Sequence, residues 1–487
     1  MTTETTAPPA TGSASRLGAR LTVALVCMVW AAHSSSLIAL LAGNSTAQIA
    51  THFRTTQIAW FSLAPSLLSI LVAPAIYWAA TIYGKRRVMM IVAGVAIVGD
   101  LIAAVATDYP VLVLGRAISG VYSGAAVLTY AITRDVFPKR SVGQASGALA
   151  GGVALVGFIG PFMSAWILDS AGYRGSLWAM VGITALTLVM LLVFIPESPV
   201  REPRKPFDWI GGLLLGAGLT AAVYGLGQGT SWGWTSGRVL GLIIGGLTAI
   251  VAFLFVEGKV AHPVFPVTLL RRRPVWSMII VTSLVSSAMS VGTVGYLLAL
   301  MPHIPRVSAG LGFTATHYAV IGLPSSVVML ATAVYGGSLA RRHDPRLLLA
   351  AGSALFAVGM AITAVYHHTA NQIMFFGLPG SVGMGLIITA SPILVISAVK
   401  PAEQALGNGA QGMVSGLIGA FITQLAYVVL AQNAHSVRGI QFYSDASFTN
   451  AYWLFVGVGV VGAAATFLMP RMKRMDEVEA GQAAATS

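Results

Sequence analysis

Apolar runs of about twenty residues recur along this chain. An α-helix needs roughly that length to cross about 30 Å of hydrocarbon. The runs are continuous rather than alternating, so they read as helices and not as strands of a membrane barrel. Candidate spans fall near 19–42, 58–80, 88–106, 111–131, 145–168, 176–195, 209–227, 238–256, 276–300, 317–339, 347–366, 372–397, 405–431 and 450–469, fourteen in all. Charge points the same way. Only 9% of the residues are charged, whereas a soluble domain carries about 25%. So little charge does not cover a soluble protein of 487 residues. The expected fold is an all-α membrane protein.

The few charges are unevenly placed. Lys and Arg number 28 against 15 acids. In a soluble protein that excess points to nucleic acid, but no basic stripe with interleaved aromatics occurs, so nucleic acid is excluded as a partner. With the N-terminus in the cytoplasm and fourteen alternating spans, 22 basic residues fall in cytoplasmic segments. Five, Arg54, Arg174, Arg238, Arg306 and Arg438, fall outside, and Arg116 lies within a span. That is the bias of a multi-pass protein with both termini cytoplasmic. One missed helix would scramble the alternation, so the bias also supports the count.

The loops leave no room for a soluble ATPase or kinase domain. No GxxxxGK[ST] loop, no HExxH and no His/Cys cluster at metal-ligand spacing occurs. No cofactor, no metal and no enzymatic activity is expected. Cys27, the single cysteine, sits in the first apolar run and reads as packing. Residues 1–18, rich in Thr, Ala and Pro, read as a disordered tail. The first run lacks a clear small-residue cleavage site and reads as a retained helix. The expected organisation is a six-helix bundle at 19–195, a linker with two additional helices at 196–275, a second six-helix bundle at 276–469, and a tail at 470–487.

The turn after the second span reads Gly84-Lys85-Arg86-Arg87, and the turn after the tenth reads Gly336-Gly337-Ser338-Leu339-Ala340-Arg341-Arg342-His343-Asp344-Pro345-Arg346. Each follows the second helix of a six-helix set, as two related halves would leave it. The fourth span carries LVLGRAISGVYSG with Arg116, Gly120 and Gly124, and the fifth carries Gly157-Phe158-Ile159-Gly160-Pro161. The additional pair is framed by Pro206-Phe207-Asp208-Trp209-Ile210-Gly211, Trp232-Gly233-Trp234 and His262-Pro263-Val264-Phe265-Pro266. In this order and placement, over about 450 residues, the chain resembles the major facilitator superfamily, and more narrowly its fourteen-helix drug:proton antiporter branch. The resemblance implies two six-helix bundles with two extra central helices. It also implies alternating access and a gating role for Gly84, Lys85, Arg86 and Arg87. Two departures stand out. The aspartate usual in the basic-turn motif is Thr81 here, and Arg341 in the second copy. The acid usual in the first helix aligns with Ile38.

Charge within the bilayer costs on the order of 3 kcal/mol per group, so a retained one calls for a reason. Asp100 in the third span and Arg116 in the fourth both lie roughly 8–9 Å in from the same side, at 1.5 Å per residue. Consecutive helices can bring them together, as a proton site tuned by the arginine or as a fixed pair that sets packing. His33, mid-way along the first span, offers a titratable imidazole or a bond to a neighbouring helix. Asn44, Gln411 and Gln424 are candidates for the substrate cavity. Trp30, Tyr130 and Tyr296 either contact an apolar ligand or pack. Gly157, Gly160 and Pro161 would make the fifth helix pliable, since proline removes a backbone donor.

The leading expectation is a monomeric secondary transporter that exports lipophilic or amphipathic small molecules in exchange for protons, with membrane lipids around it. Few acids in the spans disfavour a dedicated dication pump. Uptake or facilitated movement of a metabolite, and a non-transporting sensor, are the alternatives. Arg outnumbers Lys 22 to 6, with abundant Ala and Gly, which places the chain in a bacterial inner membrane.

Overall fold

The computed structural model describes residues 19–125, 128–201, 203, 206–260, 270–399, 403–472, 474 and 476–477. The expected tail at 1–18, most of the tail at 470–487, the motif at 262–266, and Arg204, Lys205 and Lys400 lie outside the described residues.

The first half opens with α1 (Ala19–His52), α2 (Ala59–Tyr83), α3 (Lys85–Val105) and α4 (Tyr109–Val136). One helical run, Lys139–Val193, follows. It is two spans, α5 (139–171) and α6 (173–193), because Gly172 at φ 63°, ψ −171° turns the chain back. That region of backbone space is open essentially to glycine alone. Contacts confirm the reversal. The Tyr173 N–H donates to Gln48 near the end of α1, while Arg86 at the start of α3 reaches the carbonyls of Leu191 and Leu192. The 13 helices among the described residues that are long and apolar enough to cross a membrane therefore supply the fourteen spans expected.

The additional pair is α7 (Trp209–Trp232) and α8 (Gly237–Glu257). The second half comprises α9 (Arg273–Leu300), α10 (Ala315–Arg342), α11 (Pro345–Val365), α12 (Leu378–Ala398), α13 (Gln404–Gln432) and α14 (Asp445–Ala465). Two antiparallel hairpins interrupt the helices. These are β1 (His303–Ile304) with β2 (Ser308–Ala309), and β3 (Ala434–Val437) with β4 (Ile440–Tyr443). The Arg/Lys-rich turns gather at one end of the bundle, here the basic end. The hairpins lie at the far end.

Helix starts follow local chemistry. The side chains of Asp208, Ser236, Thr314, Thr369 and Ser444 each accept a backbone N–H three residues on. α1 runs ten residues beyond the expected limit near 42. Its polar tail stays helical because hydroxyls bond back into the helix: Ser45 donates to the Leu41 carbonyl at 2.7 Å and Thr46 to that of Ala42 at 3.0 Å.

The internal repeat is visible in contacts. Gly99 and Gly115 let α3 and α4 meet backbone to backbone, and Gly352 and Gly383 do the same for α11 and α12, the matching pair. Arg86 at the start of α3 ties down the end of α6, and Arg346 at the start of α11 donates to the Met469 carbonyl beyond α14 at 3.0 Å. The additional pair seats across the two halves. Leu71 of α2 fits over Gly216, the rings of Trp60 and Tyr224 lie 5.3 Å apart, and Gln424 of α13 covers Gly227.

Candidate functional site

The close approach of α3 and α4 at Gly99 and Gly115 sets Asp100 against Arg116. Asp100 Oδ1 lies 3.4 Å from Arg116 Nη1, and both residues are at most 4% exposed. Thr184 of α6 donates to Asp100 Oδ2 at 2.8 Å. Arg116 Nη1 also donates to Ser119 Oγ at 3.1 Å, and the guanidinium carbon sits 5.4 Å above the Phe61 ring of α2. The Arg116 Nε has no hydrogen-bond partner. Four helices of the first half thus converge on one charge pair. Protonation of Asp100 would leave the guanidinium with neutral neighbours only, so the pair has two distinct electrostatic states.

The other polar candidates occupy separate contacts. His33 Nδ1 bonds the Val29 carbonyl of its own helix at 2.9 Å, and its ring lies against Gly152 of α5. Asn44 donates to Ser164 at 2.6 Å, joining α1 to α5. Gln411 donates to Ser415, whose hydroxyl donates to Ser283 of α9, both at 3.0 Å. Gln424 is buried with its carbonyl oxygen unpartnered. Trp30 donates to Thr187 at 3.0 Å. Tyr130 is exposed, and Tyr296 packs edge-on to Tyr318.

The basic turn has partners that its sequence does not announce. Gly84 takes φ 105°, and the Glu197 carboxylate accepts the N–H groups of Arg86 and Arg87, capping α3 from beyond α6. Lys85 is buried, with Nζ 2.6 Å from Asp135 at the end of α4 and 3.4 Å from Ser198. Asp135, Glu197 and Ser198 therefore belong to the motif. A net-charge reading passes over them because it weighs basic residues as markers of orientation.

The two halves join at the far end. The Asp169 carboxylate at the end of α5 accepts the N–H groups of Ala315 and Thr316, the first turn of α10, at 2.9 and 2.7 Å. Ala165 and Leu168 bury against Ala315 beside it. The ring of Tyr296 of α9 lies against Gly43 of α1, and the β3–β4 turn at Gly439 approaches the Arg54 carbonyl. Deeper, Ile70 of α2 packs on Gly416 of α13. Along their lengths α5 exposes Val153, Leu155, Phe158 and Trp166, and α10 exposes Val320, Val327, Val334 and Tyr335. Asp169, which in the sequence reads as a helix-end residue, is thus a contact between the halves.

The family model described as "Major Facilitator Superfamily" matches residues 21–424. The chain belongs to the Major Facilitator Superfamily. It is a multi-pass membrane protein of that superfamily. An uncharacterised transporter of this superfamily from Mycobacterium tuberculosis is 27% identical over 57% of the chain, which spans 40% of that relative's length. Multidrug resistance protein 3 of Bacillus subtilis is 22% identical over 79% of the chain and 74% of its own length. Among solved structures, an autoinhibited POT family peptide transporter aligns with a TM-score of 0.65 at 14% identity, over 93% of this chain and 98% of that one. That likeness concerns the fold.

Within this superfamily member the glycines of α5 differ in their surroundings. A Cβ at Gly160 would lie 2.5 Å from Leu40 of α1, whereas a Cβ at Gly157 meets nothing within 4 Å. Gly160→Leu is expected to lower the thermal midpoint in detergent by several degrees, since overpacking costs roughly 1–3 kcal/mol. Gly157→Leu is expected to leave that midpoint in place while slowing transport, through a clash in the converted state. Equal destabilisation by both would refute this division. The fold also assembles His367, His368 and Asp445 at the far end. They are invisible to spacing because Asp445 comes from another helix.

Proposed function

We propose that this transporter exports lipophilic or amphipathic small molecules from a bacterial cytoplasm in exchange for protons. It acts as a monomer in the inner membrane with both termini cytoplasmic. The carrying observation is the one-sided closure. Asp169, Tyr296 and the β3–β4 hairpin bind the halves together at the far end, where Ala165 and Leu168 of α5 also bury against Ala315 of α10. With the basic turns cytoplasmic, this is the loading state of an exporter. Rocking of the halves would then open the far end. The name of the Bacillus subtilis relative supports the efflux class. The exposed apolar side chains suit a lipophilic cargo.

For the proton, Asp100 is the proposed carrier. It is the carboxylate most deeply set within a span among the described residues, and its two charge states change what faces Arg116. The test is proton flux in energised everted vesicles, followed with a pH-sensitive dye across a panel of charged and neutral compounds. Substrate-dependent collapse of the gradient is expected in the wild type, with at least a tenfold loss in Asp100→Asn. Collapse that survives the substitution would move the role to His33. The second reading, uptake or facilitated movement, draws on the absence of any carboxylate from α1. Flux insensitive to an uncoupler would select it.

A further inference from the structure

At the far end, three connections of the second half meet: the turn after α11, the first residue of α14 and the β1–β2 hairpin. The first two bring His367, His368 and Asp445 together. His367 Nε2 lies 3.1 Å and His368 Nε2 3.0 Å from the same oxygen, Asp445 Oδ1. The two imidazoles stack, with centroids 4.6 Å apart and planes inclined by 20°. All three potential ligand atoms fall within 4.8 Å of one another.

The hydrogen bonding of His367 sharpens the point. Its Nδ1 lies 3.0 Å from the Thr363 carbonyl, which only accepts, so Nδ1 carries the proton. The neutral ring then presents a bare Nε2 lone pair toward a carboxylate oxygen. The side chain is 1% exposed, and Nε2 has no hydrogen-bond partner despite the short approach to Asp445. A buried acceptor facing a carboxylate oxygen calls for a cation between them, either a proton or a metal ion, and the exposed His368 and Asp445 leave the site open to an ion from outside.

We propose that His367 Nε2, His368 Nε2 and Asp445 Oδ1 form a three-ligand site for a borderline divalent cation of the zinc type. Imidazole nitrogens and one carboxylate are donors that such an ion takes, at about 2.0–2.2 Å, which places neighbouring ligand atoms about 3.3 Å apart in a tetrahedron. The two observed N···O separations are within a few tenths of an ångström of that edge. The Thr363 carbonyl behind Nδ1 is the outer partner that fixes tautomer and ring orientation in such sites. A cavity of about 580 Å³ borders the cluster, leaving the remaining position to water or an exchangeable ligand. His303 lines the same cavity, with Nδ1 held by the Gly310 carbonyl at 3.2 Å. An ion here would clip the turn after α11 to the start of α14.

The test uses full-length protein without an affinity tag, titrated with Co²⁺ and followed by its visible absorption, then with Zn²⁺ by calorimetry. One saturable equivalent is expected in the wild type, together with a rise in thermal midpoint. His368→Ala alters an exposed side chain, and Asp445→Asn keeps the size of the residue. Each is expected to weaken binding at least tenfold, with the metal-free midpoint within a few degrees of wild type. Absence of a saturable equivalent in the wild type would overturn the proposal. So would undiminished affinity in both variants, which marks adventitious binding elsewhere.

Discussion

Arg116→Leu is expected to destabilise the protein by about 3–5 kcal/mol, the range for breaking a buried pair by removing one partner. The reason lies in what remains. Asp100 would keep only the neutral hydroxyls of Thr184 and Ser119, in a site 2% exposed between α3, α4 and α6. An uncompensated carboxylate there must be desolvated alone or take up a proton. Two consequences distinguish this from a general packing defect. Adding Asp100→Asn to Arg116→Leu should recover most of the loss, because the pair is removed together. Lowering the pH should soften the loss in the single variant, because a protonated Asp100 no longer needs the guanidinium. Thermal unfolding in detergent of the two single variants and the double variant gives the coupling directly. Additive losses, with no recovery in the double variant, would show that the charges do not depend on each other. The cycle also bears on transport. An Asp100→Asn protein that stays folded but loses proton exchange separates the coupling role from the packing role.

Sequence and structure meet unevenly across this molecule. The span count was legible because hydropathy and basic-residue alternation constrain it independently, and the Gly172 reversal supplies the span that helix continuity conceals. The Asp100–Arg116 pair was legible because depth along consecutive helices is simple arithmetic at 1.5 Å per residue. Partners drawn from distant turns were not. Glu197 caps α3 and Asp135 holds Lys85 across more than one helix of intervening chain. Nothing in local periodicity encodes which carboxylate a turn will meet. The α5 motif marks Gly157 and Gly160 equally, and only packing tells the tight one from the open one. Asp169 has the same character. At the end of a span it looks like a solvated terminus, and its role comes from the start of α10 lying opposite.

Gly43→Val is expected to drive the halves apart at the far end. A Cβ at residue 43 would stand 2.7 Å from Tyr296 Cε2. The ring has little freedom to yield, since it lies edge-on to Tyr318 at 5.7 Å and Tyr318 in turn presses on Gly295. Overpacking of this kind costs roughly 1–3 kcal/mol. In a two-state equilibrium that penalises only the closed far end, shifting the ratio of states by about 5–150-fold. The chain lends itself to the measurement because Cys27 is its only cysteine and is buried. In a Cys27→Ser background, spin labels at Thr107→Cys and Asn371→Cys report from exposed positions near the far end, one on each half. Pulsed dipolar spectroscopy should show the distance distribution moving outward in Gly43→Val. Tyr296→Ala added to it removes the obstructing ring and should bring the distribution back. Flux should fall in the single variant and recover in part in the double, since a far end that cannot close cannot present the cavity to the basic side. An unchanged distribution in Gly43→Val would mean that the Gly43–Tyr296 contact does not hold the halves together, and would leave the closure to Asp169 and the first turn of α10.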